Sequence, residues 1–282
     1  MIPPMRPSTT GLLSMLRRFV GVGPALAGVA AVAGAVGLLA VGVPHPAAPW
    51  ALSYADAALS SGRPEQAVLR YQATATRHPS AAIRREARRR AALVYATQLM
   101  RPADARHQLE ALLATTGEPE ARAALLESIG ELLLEEGEPA GAAARFQGAA
   151  AAAPASHRAG RRLLRAAYTL ADARRDKQAS AMFRRVLRDH PALKGEAELA
   201  WGNLNLRRGR VEQALTRYEA AIASTYDPNV LDVARLGRTT CLERLGDLDS
   251  ALAALEEVHD LSDDVREQRE ASMRSRQWSG QE

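Results

Sequence analysis

Residues 126–154 read LESIGELLLEEGEPAGAAARFQGAAAAAP. Leu126 and Ile129, with Leu132 and Leu133 one turn on, recur at the three- and four-residue spacing of a helix face. Gly137 stops that helix, and Pro139 opens another, where its missing N–H costs nothing. Ala142, Phe146 and Ala149 line one face of the second helix, and Pro154 ends it. The stretch is therefore a helix, a tight turn and an antiparallel helix. The small Ala142 lets the two backbones approach, and the Phe146 ring fills the space beside it.

The pattern recurs on both sides. Marker alanines stand at Ala67, Ala105, Ala142, Ala179, Ala214 and Ala251, spaced 38, 37, 37, 35 and 37 residues apart. Four residues on are Tyr71, Leu109, Phe146, Phe183, Tyr218 and Leu255; four of the eleven aromatics beyond residue 43 fall at this register. Pro64, Pro102 and Pro139 stand three before the alanine, and Gly62, Gly137, Gly209 and Gly246 five before it. Pro79, Pro154 and Pro191 stand twelve after. One such unit cannot bury its apolar face alone, whereas six stacked units bury a continuous core. The expected fold is all-α, an α-solenoid of about six helix-turn-helix repeats over residues 50–265, with a polar carboxy-terminal cap over 266–282.

Composition agrees. Of the 282 residues, 47% are hydrophobic but only 4% aromatic, which favours helices packed on Ala and Leu over an aromatic-rich sandwich. A single cysteine excludes a disulfide framework or a multi-cysteine metal site. The net charge is +5, and Arg6, Arg17 and Arg18 at the amino terminus supply three of those charges, so nucleic acid is not an expected partner.

Residues 19–43 contain no charge. Twenty-five residues exceed the ~20 needed to cross a bilayer core and the 7–15 of a leader's apolar region. The preferred reading is a transmembrane anchor, with Ala40-Val41-Gly42 as the cleavage site of the alternative, a secreted adaptor. Arg17 and Arg18 put the tail, residues 1–18, in the cytoplasm and the repeats outside it, in a bacterial periplasm. Residues 44–49, PHPAAP, read as a stiff linker. Ala27, Ala31 and Ala35 give a small-residue stripe that the alanine-rich composition already explains.

The repeats resemble the tetratricopeptide repeat (TPR) family. Leu126, Ile129, Gly130, Gly137, Ala142, Phe146, Ala149 and Pro154 match its pattern in the third unit, and Gly202, Gly209, Ala214, Tyr218 and Ala221 in the fifth. Ala92 and Arg238 depart from it in the second and sixth. The 37-residue spacing and the endings Arg77-His78-Pro79 and Asp189-His190-Pro191 are similar to those of bacterial envelope members. A short tail, one span and a periplasmic array resemble the layout of the ancillary subunit of the secretory translocon and of outer-membrane-assembly proteins, though no lipid-modified cysteine follows the apolar run.

The resemblance implies that the first helix of each unit lines a concave groove for protein or peptide partners. Counting back from the alanines gives Leu52 and Asp56; Glu127, Ser128 and Glu131; Arg161, Leu164, Arg165 and Tyr168; Leu199 and Asn203; and Leu236 and Thr240. An acidic strip beside a basic one suits a mixed-charge peptide. Arg161, Arg165 and Asn203 are also candidates for holding a peptide carboxylate, although their order along the chain departs from the family's clamp. The alternative is that Arg161 and Arg165 are solvated or paired with Glu127 and Glu131. The run Arg84-Arg85-Glu86-Ala87-Arg88-Arg89-Arg90 reads as a solvated helix face, or as a contact for anionic lipid.

No catalytic motif stands out. His45, His78, His107, His157, His190 and His259 form no ligand pair, and there is no nucleophile elbow, phosphate loop or dinucleotide fingerprint. Cys241 reads as a buried small hydrophobe. Neither enzyme activity, a cofactor, a metal nor a small-molecule substrate is expected. The function expected is that of a membrane-anchored scaffold for envelope assembly, secretion or division. The alternative is a regulatory or spacer subunit of an inner-membrane complex, held by its span.

Overall fold

The computed structural model describes residues 49–258 and 263–279. The anchor expected over 19–43, the tail, all of the linker but Pro49, and any cleavage site lie outside these residues. No helix among the described residues is long and apolar enough to cross a membrane.

The described residues form thirteen α-helices and one short 3₁₀ turn, Pro191–Leu193, with no strand among them. They divide into two compact units at Ala105/Arg106. The first holds α1 (Pro49–Ser60), α2 (Pro64–Arg77), α3 (Ala81–Thr97) and the start of α4 (Pro102–Leu113). The second holds the rest of α4, then α5 (Pro119–Glu135), α6 (Pro139–Ala152), α7 (Ala159–Asp172), α8 (Asp176–Asp189) and α9 (Lys194–Arg207). It continues with α10 (Val211–Ile222), α11 (Pro228–Leu245), α12 (Leu248–Glu256) and α13 (Asp263–Ser279). In the second unit each helix from α5 to α13 packs on the next, and first helices also touch first helices, α7 on α9 and α9 on α11.

Every helix-to-helix turn within a repeat uses the same device. The residue five before the marker alanine has positive φ: Gly62, Met100, Gly137, Arg174, Gly209 and Gly246, between 52° and 84°. The left-handed residue halts the first helix and reverses the chain. Glycine adopts this conformation without strain, whereas Met100 and Arg174 do not. Prolines then open α2, α5, α6 and α11, and the Glu118, Asp227 and Asp247 carboxylates accept from amides of the first turns of α5, α11 and α12.

The marker alanines and the residues four after them are buried: Ala67, Ala105, Ala142, Ala179, Ala214 and Ala251, with Tyr71, Leu109, Phe146, Phe183, Tyr218 and Leu255, are each at most 1% exposed. Gly130 is required here, because a Cβ would come within 2.6 Å of the Phe146 ring. Tyr218 is gripped from two sides in the same way, by Gly202 and by Gly237 of the next repeat.

The division expected at 265/266 falls inside α13. Its Met273 is fully buried with Ala251 and Leu255, so this helix docks on the last repeat.

Candidate functional site

The charges assigned to a groove are largely spent between neighbouring first helices. In the first unit Asp56 accepts from the Tyr71 hydroxyl, and its other oxygen lies 2.6 Å from Arg90 Nη1 on α3. Arg90 also holds Glu86 at 3.0 Å. In the second unit Glu127 pairs with Arg162, not with Arg161, at 3.1 Å. Arg162 is 1% exposed and also grips Glu120 through two hydrogen bonds, so one buried guanidinium ties α5 to α7. Glu131 pairs with Arg165, whose guanidinium lies 4.8 Å from the Phe146 ring centroid. The same linkage runs from α7 to α9 through Asp172–Arg207 at 2.9 Å, and from α11 to α13 through Glu243–Arg269 at 3.1 Å.

Glu131 is 2% exposed. Burial pushes its carboxyl up to about 7, and the Arg165 charge only partly offsets that rise.

Asp56, Glu131, Tyr168 and Asn203 share one register, eleven residues before the marker alanine. Its occupant follows the aromatic residue. Where that is tyrosine, the register supplies an acceptor: Asp56 for Tyr71 and, at 2.8 Å, Asn203 Oδ1 for Tyr218. Where it is phenylalanine there is no hydroxyl to satisfy; Arg165 covers Phe146, and Tyr168 stands edge-on to Phe183 at 87°.

Several expected groove residues are core residues. Leu52, Ser128, Leu164 and Leu199 are at most 8% exposed, because the first helix of each repeat is covered both by its own second helix and by its neighbours. Leu236 and Thr240 are half-buried. Among the candidates, Arg161 is 72% exposed with Glu196 at 4.0 Å, the Arg165 side chain is 46% exposed over Glu131, and Tyr168 is 36% exposed. Asn203 adds a buried amide nitrogen with no hydrogen-bond partner.

The basic run is not a uniformly solvated face: only Arg85 in it is exposed. Arg84 caps the carbonyls of His78 and Pro79 at 2.8 and 2.7 Å, and Arg122 does the same for Leu113 and Thr116 in the second unit. Cys241 is fully buried, and burial pushes its thiol up to about 11, so it is held protonated at neutral pH. No group of three His, Cys, Asp or Glu suited to a metal occurs among the described residues.

The tetratricopeptide repeat family model matches residues 96–157 and 199–264. Those two stretches carry tetratricopeptide repeats. The first and fourth helix pairs lie outside those stretches, yet share their left-handed turn, at Gly62 and Arg174. A solved structure, described as YrrB, a TPR protein with an unusual peptide-binding site, is 21% identical over 64% of this chain and 87% of its own, with a TM-score of 0.42. No curated protein matches the chain.

Sequence reasoning missed Arg162. Its signal was present, since Arg162 lies on the stripe of Ala159, Leu163, Ala166 and Leu170 that α7 buries.

Proposed function

We propose that this is a membrane-anchored scaffold of the bacterial cell envelope that holds protein partners on the first-helix face of its second unit. The observation that carries the partner surface is the set of groups left over by the ion-pair linkage. Arg161, Tyr168 and the Asn203 amide lie on neighbouring first helices and retain exposed or unpartnered atoms. A part-exposed tyrosine and an exposed arginine on one helix are residues that protein contacts favour. The charge-free run 19–43 supports the anchor. So do Trp50 and Tyr54, 72% and 75% exposed at the start of α1, since such residues favour the membrane–water boundary. The same span and orientation support a role in assembly, secretion or division.

The test is partner capture by the full-length chain, tagged at its carboxy terminus and recovered after crosslinking. Tyr168→Ala and Arg161→Glu should each remove the same captured proteins, and Arg161→Glu, at a 72% exposed side chain, should leave the unfolding free energy within about 0.5 kcal/mol. Arg165→Glu is unsuitable as a binding variant, because it sets a like charge against buried Glu131. An unchanged set of captured proteins in both variants would reject this surface.

A further inference from the structure

On the other side of α9, a cleft of about 280 Å³ opens between α8 and α10. Arg184, Arg210, Arg217, Gln213 and Asn205 line it around Trp201, and no acidic residue does. The indole is fixed: Phe183 stacks on it at 18°, and the Arg217 guanidinium lies 3.7 Å from its centroid. Arg217 is held from behind by Glu198, at 3.1 Å and 5% exposed. Asp176 holds Arg210 at 2.5 Å, but also serves Arg208 at 3.1 Å. Arg184 is exposed and has no carboxylate partner among the described residues. Four arginines thus meet two carboxylates, and both carboxylates stand outside the lining.

Asn205 gives a second, independent indication. It is 2% exposed, it lines the cleft, and its Oδ1 accepts from Arg210 at 3.4 Å. Its amide nitrogen donates to no protein group among the described residues. Because Asn205 lines the cleft, that nitrogen is available to donate to a ligand bound there.

We infer that this cleft is an oxyanion site, in which Arg184 and the Asn205 amide receive a carboxylate or phosphate group while Arg210 and Arg217 supply field from positions already fixed by their own ion pairs. Its receiving groups, Arg184 on α8 and Asn205 on α9, are not those assigned to the partner face, so the two surfaces are tested by different variants.

Trp201 reports on the site directly. In the full chain carrying Trp50→Phe and Trp278→Phe it is the sole indole. A hexaglutamate peptide and inorganic phosphate are titrated in turn at constant ionic strength, and the indole emission is followed. The expected result is a saturable change that Arg184→Glu weakens at least tenfold, and that Arg85→Glu on α3 and Arg161→Glu on the partner face leave unaltered. Saturation by the peptide alone assigns the site to acidic protein segments, and saturation by phosphate alone to phosphoryl groups. The inference is overturned if neither probe saturates, or if Arg184→Glu titrates like its parent.

Discussion

Glu131 shows how a single register serves packing before it serves binding. Its carboxyl is buried beneath Arg165, on the helix face that the repeat pattern gives to partners. It titrates near 4.5 when the chain is unfolded and at about 7 in the fold, where burial disfavours the charge. The folded chain therefore binds the proton more tightly. Its contribution to stability is complete below pH 4.5 and is lost as pH rises towards 7, a difference of about 3 kcal/mol. Glu131→Gln removes the titration while keeping the shape. Urea unfolding at pH 4.5, 6 and 8 should show the variant gaining on the parent as pH rises, with most of the gain in place by pH 8. Parallel curves would mean that Arg165 holds the carboxylate charged throughout.

At the scale of the element, the decisive feature is the turn between paired helices. Six turns place a left-handed residue at the same offset, and two of the six are not glycine. Arg174→Gly should raise the stability of the second unit by about 1 kcal/mol, since the left-handed region costs an L-residue about 1–2 kcal/mol and glycine's extra unfolded-state freedom returns only part of that. Gly209→Ala should lower it by about 1 kcal/mol, and purely through the backbone, since no atom lies within 4 Å of the added Cβ. Unfolding midpoints of the two variants measure this; equal midpoints would mean that the turns do not carry the strain.

These elements were legible because each is set by local chemistry: a glycine or proline at a fixed offset, an alanine where backbones meet, an aromatic ring beside it. The partner face was less legible. The groove register implied by the family resemblance placed Leu52, Leu164 and Leu199 on a solvent groove, whereas contact between successive first helices buries them. It also chose Arg161 over Arg162 for the pairing with Glu127, because residues adjacent in sequence differ by about 100° around a helix, and only the neighbouring helix decides which one is enclosed. Asp56, Glu131, Tyr168 and Asn203 were found together, but the rule that links their identity to tyrosine or phenylalanine depends on a hydroxyl that needs an acceptor across the helix pair.

For the whole molecule, the proposed anchor raises the question of on which side of the membrane the repeats stand. The twenty-five uncharged residues 19–43 are followed by no basic residue before Arg63, while Arg17 and Arg18 precede them. That asymmetry favours an amino terminus retained in the cytoplasm and repeats translocated. In intact spheroplasts, protease added outside should then digest a carboxy-terminal tag on a full-length, membrane-bound chain, and Arg17→Glu with Arg18→Glu should shift part of the population to the protected orientation. A tag protected in the parent would invert the topology and direct partner capture to the cytoplasm. A shortened chain released in soluble form would instead identify residues 19–43 as a cleaved leader, and the exposed Trp50 and Tyr54 would then need a partner other than lipid.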